Sequence, residues 1–199
     1  MKKIETIWRE LLFQAVEKGN RIFTQKQLAE NFGFSLSTVF QALKSPRKMG
    51  AVRVGGRSFI LEDPEKLLYH WASIRDLSKE ILISGHLDLS VFEIEGKMPP
   101  EVVFGGFRAA RELLRGEMPA DYDKVLVYTP PQNAGLIKQR FSFEKGRENL
   151  IVLKSDRFLK KYGKSTTLCQ TFVDLWNLPE WYAKEYVGEL KGKIDALLS

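Results

Sequence analysis

The chain has 199 residues, 44% of them hydrophobic, with 15 Gly and 8 Pro; this is enough apolar content for packed cores and too little Gly and Pro for a low-complexity or fibrous protein. A single cysteine, Cys169, excludes an internal disulfide and a cysteine-cluster metal site, and the two histidines, His70 and His86, are too few for an ordinary zinc site. The net charge of +6 is uneven: residues 1–61 hold eleven Lys/Arg against four Glu (+7), and residues 62–199 hold twenty against twenty-one Asp/Glu (−1), so the N-terminal third is the part suited to a polyanion.

No apolar run reaches the roughly 18 residues that span a bilayer. The opening "MKKIETIWRELL" interrupts its apolar residues with Glu5, Arg9 and Glu10, so it reads as an amphipathic helix and not as a signal peptide. The expected location is the cytoplasm.

Ile4, Ile7, Trp8, Leu11, Leu12 and Ala15 recur at helical spacing up to Gly19. A short apolar "RIF" follows. Thr24 opens a second helix, with Gln27 placed for a capping box and Phe23 and Leu28 for a hydrophobic staple. Gly33 supplies its left-handed stop. Ser35 opens a third helix, with Phe34 and Val39 again at staple positions, and Pro46 predicts its end at Ser45. "AVRV", "GG" and "RSFIL" predict a hairpin turning on Gly55-Gly56, which would pair Val54 with Arg57 and Arg53 with Ser58. Val52, Val54, Phe59 and Leu61 would share its inward face.

Residues 64–81 read as one more helix, with Leu67, Trp71, Ile74, Ser78 and Ile81 at alternating spacings of four and three, a stripe suited to a dimer seam or to packing on its own domain. Beyond Ile81 strands and helices alternate: "EVVFGG", the helix "FRAARELLRG", the strands "KVLVYTP" and "NLIVLKS", then mostly helix from Thr166, broken at Pro179. The expected fold is α+β, with a helical and hairpin domain at 1–63, a connecting helix at 64–81 and an α/β domain at 82–199.

On the third helix, Val39 and Leu43, with Leu36 beside them, would face the core and turn Ser37, Thr38, Gln41 and Lys44 outward. Small hydroxyl residues at a helix start let the backbone approach a groove, the helix N-terminus attracts phosphate, and Gln41 can pair bidentately with adenine. Ser35 would mainly cap. Arg47 and Lys48 before the hairpin, Arg53 on it and Arg57 at its tip complete a basic arc suited to phosphates. Arg157, Lys160, Lys161 and Lys164 would form a second basic face if their segment were helical.

Catalytic signals are weaker. Gly105-Gly106 before a helix, followed by Asp121 and Asp123, loosely resembles the glycine-rich phosphate cradle and Mg²⁺-binding acid pair of nucleotidyltransferases, but the serine after the glycines is missing and the acids precede their strand. His86, Asp88 and Ser90 are close in sequence without the oriented third group that a triad needs. No catalytic residue, cofactor or metal is therefore expected.

The helix, helix, turn, helix, hairpin order within about sixty residues resembles the winged helix-turn-helix domains of prokaryotic transcription regulators, and "FTQKQLAENFGFSLSTVFQAL" matches their pattern position by position, turn glycine included. The C-terminal "LIVLKSDRFLKKYGKSTTLCQTFVDLWNLPEWYAKEYVGEL" resembles the end of the AbiEi-like antitoxins of type IV toxin–antitoxin systems, through Gln170, Asp174 and Leu175 and then Ala183 to Leu190. Together these resemblances imply a non-enzymatic repressor that binds double-stranded DNA at its own promoter and is paired with a nucleotidyltransferase toxin, and a homodimer is expected because two-fold operators need two reading heads. Its C-terminal domain, nucleotidyltransferase-like or antitoxin-like, would serve oligomerisation, an effector or a protein partner. The alternative is a Mg²⁺-dependent nucleotidyltransferase-like enzyme carrying a DNA-targeting winged helix.

Overall fold

The computed structural model describes all residues, Met1–Ser199. It is a mixed α+β fold with two sheets, and it divides into two compact units: residues 1–75 with 193–199, and residues 76–192. No helix is long and apolar enough to cross a membrane.

The first unit begins with α1 (Lys3–Leu12), whose regular turns give way to a π-helical turn at Phe13–Glu17. The sequence pattern predicts one uninterrupted helix here. Strand β1 (Ile22–Phe23) precedes α2 (Gln25–Phe32), where the Thr24 hydroxyl accepts from the Gln27 amide as the forward half of the expected capping box. Gly33 stops the helix with φ 57° and ψ 37°. The next helix is α3 (Leu36–Lys48), capped by Ser35.

α3 runs one turn beyond the predicted end and carries Pro46 inside it. Proline lacks the N–H that would reach the carbonyl of Ala42 four residues back. The indole N–H of Trp8 in α1 takes that role, donating to Ala42 at 2.7 Å, while Val39, Ala42, Leu43 and Pro46 bury the same face of α3. The helix survives its proline because a neighbouring element supplies the missing donor.

Strands β2 (Val52–Gly55) and β3 (Ser58–Leu61) form the hairpin, and β1 adds to β3, giving the order β1-β3-β2. The register corrects the expectation: Val54 pairs with Phe59, Arg53 with Ile60 and Gly55 with Ser58, so the turn residues are Gly56-Arg57. Gly56 has φ 57°, the left-handed value that a glycine tolerates at the first position of a tight turn. Val52, Phe59 and Leu61 are buried, whereas Val54, expected inward, is 37% exposed near the tip. Phe23 stacks on Phe59 with ring centroids 5.5 Å apart, tying β1 to the hairpin core.

Helix α4 (Pro64–Ile74) ends seven residues short of the predicted limit. Leu67 and Trp71 are buried, Ile74 is 38% exposed, and Ser78 starts a separate 3₁₀ turn, so the five stripe residues form no continuous helical seam. α4 is held to α1 by buried Glu5, which accepts from the Trp71 indole at 3.1 Å and from Arg75 at 3.2 Å.

The second unit is built on a four-stranded sheet of order β4-β7-β6-β5, comprising β4 (Ile81–Gly85), β5 (Val103–Phe104), β6 (Val125–Thr129) and β7 (Leu150–Lys154). β6 and β7 are parallel, and β4 and β5 flank them antiparallel. The two central strands are buried almost end to end, as a sheet covered on both faces requires. Helices α5 (Val91–Gly96), α6 (Gly106–Leu113), α7 (Ala134–Arg140), α8 (Leu168–Trp176) and α9 (Ala183–Leu198) complete the chain, and the gap between α8 and α9 falls at Pro179 as predicted. Cys169 is fully buried in α8.

Candidate nucleic-acid interface

The first unit holds the whole net charge. Residues 1–75 and 193–199 contain fourteen Lys/Arg against eight Asp/Glu, while residues 76–192 contain seventeen of each. Within the first unit the excess is further concentrated, because no acidic residue occurs between Glu30 and Glu62, the stretch that forms α3 and the hairpin.

The outward face of α3 follows from its buried one. Val39, Ala42, Leu43 and Pro46 lie inward at helical spacing. Ser37, Gln41, Lys44 and Lys48 recur on the opposite side, all exposed, with Arg47 exposed beside them. Ser35 Oγ accepts from the Thr38 amide at 3.1 Å and lies 3.0 Å from the Thr38 hydroxyl. Both hydroxyls are thus engaged in the cap, and Thr38 is half-buried. Ser37, which is exposed, carries a hydroxyl that is not part of the cap.

Leu36 departs from the expectation, and Phe40 lies beside it. Leu36, predicted beside the core, is 56% exposed and Phe40 is 45% exposed, one turn apart along one flank of the outward face. The inward arc is the one that Val39, Ala42, Leu43 and Pro46 share, and positions 36 and 40 fall at its edge and beyond it.

At the hairpin, Arg57 sits at the tip with its side chain in solvent. Arg53 is held by an ion pair to Glu62 on the same side of the sheet, so its charge is partly neutralised. Lys44, Arg47, Lys48 and Arg57 are exposed and pair with no acidic side chain. Four unneutralised cations, a helix start and a row of short or amide side chains form a surface able to donate to phosphates and to hydrogen-bonding edges.

In the second unit, Gly105, Asp123, His86 and Ser90 take part in packing and hydrogen bonds. A Cβ on Gly105 would lie 2.6 Å from Leu126 Cδ2 and 2.9 Å from Tyr128 Cε2, so the glycine lets the start of α6 approach β6 closely. Asp123 accepts from the Tyr182 hydroxyl and lies 4.0 Å from Arg147, and no third ligand-type side chain joins it and Asp121 in a metal-holding group. His86 Nδ1 is 2.9 Å from the Arg147 carbonyl oxygen, and the Ser90 hydroxyl donates to Glu93 within the capping box of α5.

The second basic set is not a helical face. Leu159–Tyr162 is a short 3₁₀ turn ended by Gly163 at φ 119°, leaving Arg157 before it and Lys164 after it. Arg157 lies 4.6 Å over the Phe158 ring and Lys161 lies 4.8 Å over the Tyr162 ring, so two of the four cations cover aromatic surface.

Tyr122, Tyr182 and Tyr186 surround Phe107, with ring centroids 5.0 to 5.3 Å from it. Burial raises all three phenols, Tyr186 to about 12 and the other two higher. Their hydroxyls donate to Glu95, Asp123 and the Ala120 carbonyl respectively. This cluster closes a core around Phe107.

Comparison of the chain with protein-family models, with curated proteins and with solved structures yields no match.

Proposed function

We propose that the protein is a sequence-specific DNA-binding transcription regulator, acting as a repressor, with its first unit as a winged helix-turn-helix domain. The observation that carries the reading is the acid-free stretch between Glu30 and Glu62, which puts Ser37, Gln41, Lys44, Arg47 and Lys48 on one exposed face of α3 and Arg57 at the hairpin tip. α3 would enter the major groove N-terminal half first, with Gln41 reading base edges. Lys44, Arg47, Lys48 and Arg57 would neutralise phosphates, with Arg53 a lesser contributor because Glu62 already pairs with it. The order of helices and hairpin supports the same assignment.

The second unit would serve assembly or a protein partner, as in the AbiEi-like antitoxins that the sequence resembles. Dimerisation is part of the proposal, since two-fold operators present two half-sites. The tight packing at Gly105 and the engagement of Asp123 with Tyr182 favour this non-enzymatic role over Mg²⁺-dependent nucleotidyl transfer.

The test is selection of bound duplexes from a random pool with the full chain at near-physiological salt. An enriched motif whose binding weakens in the Gln41→Ala variant supports the reading. Recovery of unenriched sequence, or binding equally strong to any duplex, refutes it.

A further inference from the structure

Leu36 and Phe40 place two large apolar side chains, 56% and 45% exposed, on the N-terminal half of a helix whose surroundings are otherwise polar and basic. Ser37, Gln41, Lys44 and Arg47 flank them. Burying both fully would contribute appreciably to stability, yet the fold leaves about half of each in water while filling the inward face with Val39, Ala42, Leu43 and Pro46. A protein partner for this face would have to bury the neighbouring cations against acidic groups of its own. A DNA major groove supplies anionic walls for the cations and, on its floor, one apolar group among the base edges, the 5-methyl of thymine.

We infer, resting on the DNA-reading role proposed above, that α3 reads thymine through its methyl group with Leu36 and Phe40. Gln41, one residue beyond Phe40, is placed to pair with adenine N6 and N7. The two side-chain types recognise opposite members of A·T pairs, so the half-site under the first two turns of α3 is A·T-rich at the positions these side chains reach. Phe40 supplies apolar area and Gln41 supplies direction. Ser37, between them on the helix surface, keeps the backbone close enough for both.

The experiment uses the full chain and the duplex selected above, with each thymine replaced in turn by deoxyuridine. This removes the methyl and leaves every hydrogen-bonding edge intact. The expected result is a loss of affinity of about three- to five-fold at one or two positions, the scale of one methyl withdrawn from an apolar environment. In Phe40→Ala or Leu36→Ala the affected position becomes indifferent to the replacement, while Phe40→Leu keeps the difference and Gln41→Ala leaves it unchanged. Both side chains lie outside the buried face of α3, so their truncation leaves that face intact.

Two results overturn the inference while leaving DNA reading intact: equal affinity for thymine and deoxyuridine at every position, or a difference that persists in both alanine variants. A selection that enriches no duplex overturns the proposed function, and the methyl recognition with it.

Discussion

The indole N–H of Trp8 donates to the main-chain carbonyl of Ala42 at 2.7 Å, the acceptor that Pro46 has no N–H to reach. Both groups are buried, so losing the donor leaves a carbonyl unsatisfied in the core. Trp8→Phe should lower stability by about 1–3 kcal/mol, read as a lower denaturant midpoint at unchanged slope. In a Pro46→Ala background, residue 46 regains an N–H for the same carbonyl, and the cost of Trp8→Phe should shrink. Equal costs in the two backgrounds would show that the indole does not serve the helix in this way.

The cations of α3 and the hairpin predict a graded salt dependence. Lys44→Ala, Lys48→Ala and Arg57→Ala should each weaken binding to all duplexes alike and reduce the slope of log affinity against log salt by about 0.9 for each phosphate left unneutralised. Arg53→Ala should change the slope less, because its partner Glu62 is released as its charge is removed. Gln41→Ala should behave differently, costing about 1–3 kcal/mol of discrimination at one base pair with little change in slope. Slopes unchanged from that of the parent chain in Lys44→Ala, Lys48→Ala and Arg57→Ala would mean that these residues do not touch phosphate.

Gly105 tests whether the glycine pair at α6 serves packing. Gly105→Ala would place its methyl against Leu126 and Tyr128, and overpacking of this kind typically costs about 1–3 kcal/mol. A lowered midpoint in thermal unfolding is the expected outcome. An unchanged midpoint would reject the packing role.

The tyrosine cluster sets an alkaline limit on stability. Tyr122, Tyr182 and Tyr186 keep their protons in the folded state to higher pH than in the unfolded chain, because burial disfavours the phenolate. Their contribution is therefore full below the ordinary tyrosine value of about 10 and declines as the pH rises from there, where the unfolded chain ionises first. Unfolding midpoints should fall steeply above a pH of about 10, and tyrosinate absorbance should develop in step with unfolding. Tyr182→Phe should flatten that fall; an unaltered profile would argue against a buried phenol at this position.

The features legible in the sequence are local ones. Thr24 and Ser35 as caps, Gly33 as a left-handed stop and Pro179 as a break between helices all act within a few residues, and the structure has each of them. The inward placement of Val39 and Leu43 followed from helical periodicity alone, as did the outward turn of Ser37, Gln41 and Lys44. The uneven charge was likewise a property of composition, and the compact units turn it into a basic first unit and a neutral second one.

Where expectation and structure part, a distant residue decides. Pro46 argues for a helix end at Ser45 by its local chemistry, and Trp8, 34 residues from Ala42, overrides it with one hydrogen bond. Gly55-Gly56 is as good a turn as Gly56-Arg57 on dihedral grounds, but opposing Val52 to Leu61 and Val54 to Phe59, with β1 paired beyond, selects the second. The four cations around residue 160 would share a face only on an α-helix, and the packed chain makes a 3₁₀ turn there instead. Leu36, expected beside Val39 and Leu43 at the core, is exposed because Val39, Ala42, Leu43 and Pro46 fill the inward arc of α3. Caps, stops and periodicity are set by neighbours along the chain, and so the sequence determined them by itself. Strand register, the persistence of a helix through a proline and the exposure of an apolar side chain depend on packing across tens of residues, which only the tertiary structure decides.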